Sequence, residues 1–473
     1  MASDPFPSAE ELTALVRERR VSPAEAVEGS LRAIEARPEL NAFTEVDGDR
    51  ALAAAAEAPA GPLAGLPVAV KANTPVAGWI VDQGSRLLAG YRPAHSAFLV
   101  RRLQAAGAVV VGTTRMPELG ILPTTEPRHG GPVLNPWDPK RTPGGSSGGS
   151  AAAIAAGLVP LAHGTDGGGS LRIPAACCGL VGLKPSRGRI SRGPDHGDSF
   201  LGVDGVLTRT VADTALALDV LAGYEAGDAT WVPRPEERFA LALRRDPGRL
   251  RIAVSAANAV GAPVSACVLD PVREVGELLA GLGHHVEEVD PELPTSDTLG
   301  RFLSAFAATR ALDLALAARA AGHDPDDDEI EPLTRALYEL AASTSAVDHL
   351  RTMHELQSLG RRLVTFFADW DLLLTPVLAE APLAVGECHG TMPDPMEAIG
   401  RAARFAPYTA PFNISGQPAI SLPVATDAGG PPGAVQLVGP PLGEDTLLQV
   451  ARQVELARPW AALRPPPAGL QGS

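Results

Sequence analysis

Cysteine is scarce in this chain, and its spacing is not that of a structural framework. The four cysteines stand at positions 177, 178, 267 and 388, so none forms a C-x-x-C pair. The neighbours Cys177 and Cys178 are poorly suited to a set of disulfides. This excludes a small disulfide-stapled scaffold and favours a reduced protein, which we expect to be cytoplasmic.

Positive charge and long apolar runs are also in short supply. The chain has 40 Lys and Arg against 55 Asp and Glu, a formal net charge of −15, which disfavours nucleic acid as a partner. Acidic residues follow the start, "MASDPFPSAE", where a signal peptide needs basic residues and then an apolar run, so none is expected. The longest apolar stretches, such as "AAAIAAGLVPLA", are too short and glycine-broken to span a bilayer, so no membrane association is expected.

Two segments resemble metal sites only in part. Residues 323–332, "HDPDDDEIEP", space three aspartates like a calcium loop, but the glycine at the sixth position is missing and Arg335 stands where the bidentate glutamate belongs. His284 and His285 are adjacent rather than four residues apart, and no third ligand stands near them. We therefore expect neither a metal nor an organic cofactor.

Helix and strand patterns alternate along the chain. Residues 9–38 show helical periodicity twice, and Ser22 before Pro23 predicts the start of the second helix. "LPVAVK" is typical of a short buried strand, and "HSAFLVRRLQAAGAVVVGTT" of a helix, a glycine stop and an apolar strand. The helix-then-strand order returns twice later, which predicts an α/β fold with a sheet covered by helices on both faces.

No segment is long enough to act as a linker between domains. We therefore expect one domain over residues 1–473. The proline-rich end, "RPWAALRPPPAGLQGS", predicts a loose tail at about 461–473.

Two glycine–serine clusters bracket one helix-forming stretch. The first is "TPGGSSGGS" at 142–150, and strong helix formers follow it at 151–156. The second, "TDGGGSLR", places Ser170 directly after three glycines, whose free N–H groups would form an anion-binding nest. Such an arrangement predicts a binding or catalytic site rather than a flexible linker.

Three functions compete for these clusters. Neither cluster fits the phosphate-binding patterns G-x-x-x-x-G-K-[ST] or G-x-G-x-x-G. "GGSSG" does match the esterase pattern G-x-S-x-G, with Ser146 as nucleophile, but the preceding "NPWDPKRTP" predicts a loop where that motif needs a strand. The third is a serine hydrolase with a lysine base: Lys71, one of very few lysines, ends an apolar strand where desolvation would lower its pKa. Taken alone, Lys71 is more simply interpreted as an exposed lysine at a strand end.

The stretch from Gly144 to Ala175 resembles the signature of the amidase signature family, nearly complete and without gaps. The resemblance extends over almost the whole chain, and its other segments include "LAGLPVAVKAN", "MPELG", "GLVGLKPSRGRIS", "DLLLTP" and "PFNISGQPAISLP". It implies the amidase-signature fold, a central twisted mixed β-sheet covered by helices on both faces, with a signature core at about 61–210.

The resemblance also implies a Ser–cis-Ser–Lys triad. Lys71 is then the base, Ser146 the relay after a cis peptide bond from Gly145, and Ser170 the nucleophile that forms an acyl-enzyme. The implied oxyanion hole consists of the N–H groups of Gly167, Gly168, Gly169 and Ser170. The implied supporting residues are Asp166 and Arg172, which hold the loop by hydrogen bonds.

Within the family, the chain resembles stand-alone amidases: the branch with nylon-oligomer (aminohexanoate cyclic dimer) hydrolase, aryl acylamidases and urethane-cleaving amidases. The implied function is hydrolysis of small neutral amides, anilides, carbamates, cyclic or oligomeric amides and esters. A partner-dependent glutaminase subunit of a tRNA-dependent amidotransferase remains an alternative, and a homodimer is left open. We expect an apolar, uncharged pocket edged by "ELGILP", with Gly120 and Ile121, and by "APFNISG".

Overall fold

A computed structural model of the protein describes residues 7–197, 199–292, 296–424 and 431–466. Its helices are α1 Ala9–Arg17, α2 Pro23–Glu35, α3 Gly48–Glu57, α4 Phe98–Ala105, α5 Gly148–Ala155, α6 Arg172–Cys178, α7 Val211–Leu221, α8 Phe239–Ala242, α9 Ala266–Gly281, α10 Ser296–Ala321, α11 Pro332–Ala342, α12 Ala346–Thr365, α13 Pro395–Phe405, α14 Ala410–Ser415 and α15 Glu444–Ala457. Its strands are β1 Phe43–Val46, β2 Pro67–Lys71, β3 Val109–Thr114, β4 Leu161–Asp166, β5 Val181–Lys184, β6 Val203–Thr208, β7 Arg251–Val254, β8 His285–Glu288, β9 Leu372–Thr375, β10 Ala419–Val424 and β11 Gly433–Val438.

All these strands join one mixed sheet, in the order β1-β3-β2-β4-β6-β5-β10-β11-β9-β7-β8. β2 runs parallel to both of its neighbours, β3 and β4, and β7 runs parallel to β8 and β9. The strands between these two groups pair antiparallel. The sheet thus confirms the expected mixed α/β architecture.

Alternating side chains of the central strands enter two separate cores. On β2, Val68 and Val70 belong to one core and Ala69 to the other. β4 behaves in the same way, with Leu161 in the first core and Ala162 in the second. Because successive strand residues point to opposite faces, the two cores lie on the two faces of the sheet, and helices cover both.

Local signals of the sequence agree with the observed elements. Ser22 is the N-cap of α2, and its hydroxyl accepts a hydrogen bond from the Glu25 N–H. Of the expected loose tail, 461–466 is irregular, and the remainder lies outside the described residues. In the described part of the chain, no helix is both long enough and apolar enough to cross a membrane.

Candidate active site

Two neighbouring parallel strands end at the same edge of the sheet. β2 ends at Lys71, and β4 ends at Asp166, directly before the triple glycine and Ser170. Ligand sites of such sheets lie beyond the carboxyl ends of parallel strands. The topology therefore brings together the lysine and the second glycine–serine cluster, which are 99 positions apart in the chain.

The first glycine–serine cluster is a tightly packed turn into α5. The peptide bond between Gly145 and Ser146 is cis. A Cβ atom added at Gly145 would lie 2.4 Å from the Thr124 carbonyl oxygen, and one at Gly149 would lie 2.5 Å from that of Ala42. Only glycine permits such close backbone approach, which explains the composition of the segment.

The esterase pattern lacks its required context. Residues 135–147 form a loop with one isolated bridge at Arg141, so no strand enters the turn before Ser146. A nucleophile elbow needs that strand. The structure therefore disfavours the esterase alternative.

Lys71 and Ser146 are in direct contact inside the protein. Lys71 is fully buried, and its Nζ donates to Ser146 Oγ at 2.7 Å and to Thr165 Oγ1 at 2.9 Å. Burial, and to a smaller extent the Arg310 guanidinium, lower the pKa of Lys71 to about 7, while Asp166 and Asp204 oppose the shift. A lysine in this state is partly neutral at physiological pH and can accept a proton.

Ser170 lies at the wall of the same cavity as Ser146. Within the described residues, no hydrogen bond joins their hydroxyls, so this contact of the expected triad is not formed here. The N–H of Gly169 donates to Asp166 Oδ1 at 2.8 Å, and this donor is already in use. The N–H groups of Gly167, Gly168 and Ser170 have no partner in the described part of the chain.

A buried ion pair holds the loop that carries Ser170. Arg172 binds Asp166 through Nε at 3.0 Å and Nη2 at 2.9 Å, and both side chains are fully buried. Burial by itself would raise the pKa of Asp166, but the Arg172 cation and its hydrogen bonds hold the pKa at about 2. The Leu171 N–H and the Asn413 amide also bind this carboxylate, which therefore remains ionised and fixes the loop.

The loop opens onto a cavity of about 720 Å³, a size typical of small-molecule sites. Gly120 and Ile121 both line it, as do Ser146 and Ser170. A Cβ atom added at Gly120 would lie 3.2 Å from Ser146 Oγ, so the small residue leaves room beside that hydroxyl. Further apolar walls come from α10 and α13, including Phe302, Phe306, Ile399 and Ala402.

The expectation of an uncharged pocket is wrong. The cavity is lined by five charged or titratable side chains: Arg192, Asp195, His196, Arg310 and Asp313. They lie there because α10 and the loop after β5 lie over the cavity. Neither of these elements belongs to the segments "ELGILP" and "APFNISG", on which the prediction was based. Two opposite-charge pairs involve three of these side chains, Arg310 with Asp313 and Arg192 with Asp204, and Asp195 is hydrogen-bonded to the His95 ring. The cavity wall is therefore charged, and these four side chains already have partners.

Three further polar residues contact the site and were not predicted from the sequence. Thr165 is the second partner of Lys71, and its position next to Asp166 was the available signal. Thr409 donates to the Gly168 carbonyl at 2.5 Å, and Asn413 binds both Asp166 and Arg172. Thr409 stands beside the segment "APFNISG" and Asn413 stands within it, and the largely apolar pattern of this segment does not indicate that its amide binds the loop of Ser170.

Comparison with known proteins agrees with this geometry. The family model described as Amidase matches residues 25–448. The chain is 36% identical over 471 residues to 6-aminohexanoate-cyclic-dimer hydrolase of Pseudomonas sp. (strain NK87), covering 95% of this chain and 94% of that protein. A solved structure of 6-aminohexanoate cyclic dimer hydrolase superposes with a TM-score of 0.93 at 35% identity, over 98% of this chain and 99% of that one. A bacterial aryl acylamidase of the amidase signature family has a TM-score of 0.87 at 29% identity, covering 96% and 97%.

Proposed function

The chain belongs to the amidase signature family and is an amidase, and we propose that it hydrolyses neutral amides through Ser170, Ser146 and Lys71. The observation that supports this proposal most is the buried 2.7 Å contact between Lys71 Nζ and Ser146 Oγ at the edge of the cavity. A lysine whose pKa is lowered to about 7 can serve as a base there.

In the proposed first step, neutral Lys71 accepts the proton of Ser146, and Ser146 takes the proton of Ser170. Ser170 Oγ then forms a bond to the substrate carbonyl carbon. The C–N bond breaks as the proton returns through Ser146 to the leaving nitrogen, which departs as an amine. Water repeats the sequence and releases the acid from the acyl-enzyme. Ser146 and Ser170 must approach each other on substrate binding, since catalytic hydrogen bonds often tighten only in the complex.

The oxyanion would be held by backbone donors of the triple-glycine loop. Gly167, Gly168 and Ser170 keep their N–H groups unpartnered within the described residues, whereas that of Gly169 binds Asp166. In comparable sites one such donor is worth about 3–4 kcal/mol in the transition state. The Gly169 N–H thus fixes the loop, and the proposed hole rests on the other three donors. No step requires a metal or an organic cofactor.

The proposed substrates are uncharged. Arg310, Arg192 and Asp313 already pair with opposite charges, so an amino-acid ammonium or carboxylate that binds to them would have to break a pair in a partly buried site. The substrate classes are anilides, cyclic or oligomeric amides, carbamates and esters, which makes urethane cleavage a candidate activity. The names of the two relatives, a cyclic dimer hydrolase and an aryl acylamidase, support amides of this kind.

The same sheet supports the proposal of a single amidase domain over 1–473, since it combines strands from residue 43 to residue 438. A single domain that contains all proposed catalytic groups should act without partner chains. This distinguishes it from a glutaminase subunit, which would be inert when isolated.

A substrate panel with the isolated chain tests the proposal. We expect turnover of an anilide, a cyclic amide or a carbamate, and the Ser170→Ala variant should keep less than a tenth of it. The matched control is Ser343→Ala, an exposed serine that does not line the cavity, which should retain wild-type turnover. A tenfold preference for glutamine over every neutral aryl amide would contradict the proposal, as would activity only with added subunits.

A further inference from the structure

Arg310 of α10 lies beside the Lys71–Ser146 pair. Its Nη1 donates to the Leu119 carbonyl at 2.5 Å. A Cβ atom added at Gly120 would lie 3.2 Å from Ser146 Oγ and 3.7 Å from Arg310 Nη1. The guanidinium and the Ser146 hydroxyl therefore flank the same glycine.

We propose that Arg310 is a positioning residue of this amidase: its cation favours the unprotonated form of Lys71, and its hydrogen bond to Leu119 holds the pocket loop against Ser146. This inference rests on the proposed function, because it assigns a second group to the same base. Arg310 itself takes no part in bond formation.

The charges around Lys71 support the first half of the proposal. The anions that oppose Arg310 there are Asp166 on β4 and Asp204 on β6. Each has its own cation, since Arg172 binds Asp166 and Arg192 binds Asp204. Beside Arg310 itself, Asp313 pairs at 3.0 Å and partly offsets its field. Burial is the larger cause of the lowered pKa of Lys71, and the Arg310 guanidinium adds to it.

The backbone of the pocket loop supports the second half. Leu119 and Gly120 both have left-handed conformations, with φ of 48° and 68°. This is an uncommon state for leucine, and the arginine binds the carbonyl of that residue. Arg310 Nε is buried without a hydrogen-bond partner in the described residues. A buried donor without a hydrogen-bond partner is costly, which is consistent with a functional rather than a stabilising position.

The test measures Lys71 directly. The chain has three lysines, at positions 71, 140 and 184, so an enzyme with ¹³Cε-labelled lysine gives three side-chain signals. Lys71→Met and Lys140→Arg assign them. Arg310→Met should raise the titration midpoint of Lys71 by roughly one pH unit, since a nearby cation is lost. Arg310→Lys keeps the cation, adds a fourth lysine signal and should keep the Lys71 midpoint near that of the wild type, and Asp313→Asn should lower it.

The rate should follow the same titration. In Arg310→Met the acid limb of the kcat/KM profile should move to higher pH with the Lys71 signal, and a merely structural residue would lower kcat/KM without moving it. An unchanged midpoint in a folded Arg310→Met enzyme would overturn the proposal, and so would a raised midpoint in Asp313→Asn. If Arg310→Met does not fold, Asp313→Asn decides alone. A midpoint that moves as expected in a protein without amidase activity would support the Arg310–Lys71 coupling and refute the proposed function.

Discussion

Lys71 donates to Ser146 from a fully buried position at the end of β2, with Nζ and Oγ 2.7 Å apart. Because its pKa falls from 10.5 to about 7, the folded protein releases a proton that the unfolded chain keeps between these pH values. Lysine burial thus links catalysis to stability. Both consequences can be measured on the same residue.

Lys71→Met should abolish amidase activity and raise the unfolding free energy at pH 7. The unfolded chain binds more protons than the folded one between pH 7 and 10.5, so the Lys71 contribution to wild-type stability grows as pH rises through that window. The slope is at most about 1.4 kcal/mol per pH unit. Chemical denaturation should show that the unfolding free energy of the variant exceeds that of the wild type by less at pH 10 than at pH 7. Exposed Lys140→Met is the control and should show no pH-dependent difference.

Asp166→Asn should destabilise the protein by about 3–5 kcal/mol, because it leaves the buried Arg172 cation without its anion. Activity should fall with it, since the carboxylate also binds the N–H groups of Gly169 and Leu171. The control is Asp270→Asn, whose partner Arg273 is exposed. That surface pair should contribute less than about 1 kcal/mol. Equal stability losses in the two variants, by chemical denaturation, would contradict the assigned role of Asp166.

Gly169→Ala and Gly167→Ala form a matched pair within one loop. Gly169 has φ of 135°, and an added Cβ would lie 2.4 Å from Thr409 Oγ1, so the substitution must displace the loop. An added Cβ at Gly167 meets nothing within 4 Å. We expect kcat/KM to fall at least about a hundredfold in the first variant, comparable to losing an oxyanion donor. Gly167→Ala should stay within a few-fold of wild type, and a comparable loss there would argue against a role limited to its backbone N–H.

Local signals in the sequence were sufficient for several elements, but the assignment of Lys71 as the proposed base also needed the resemblance to the amidase signature family. The run "LPVAVK" is typical of a strand, and β2 ends at Lys71 as expected. The walls of the cavity depend on contacts between distant segments: Arg310 stands 191 positions from Leu119, whose carbonyl it binds. The residue pattern of helix α10 does not indicate that the helix packs over the edge of the sheet that carries the active site. The charged wall could therefore not be predicted, whereas the glycine–serine clusters could.

The central claim is that Ser170, and not Ser146, becomes acylated. Trypsin leaves both serines in one peptide, since no lysine or arginine stands between Arg141 and Arg172, whereas cleavage before Asp166 separates them. The enzyme is treated with a slowly released carbamate or a serine-directed phosphonate, cleaved at aspartate and mapped by mass spectrometry. We expect the added mass on the peptide that begins at Asp166 and contains Ser170. Added mass on the peptide that ends at Thr165 and contains Ser146 would contradict it.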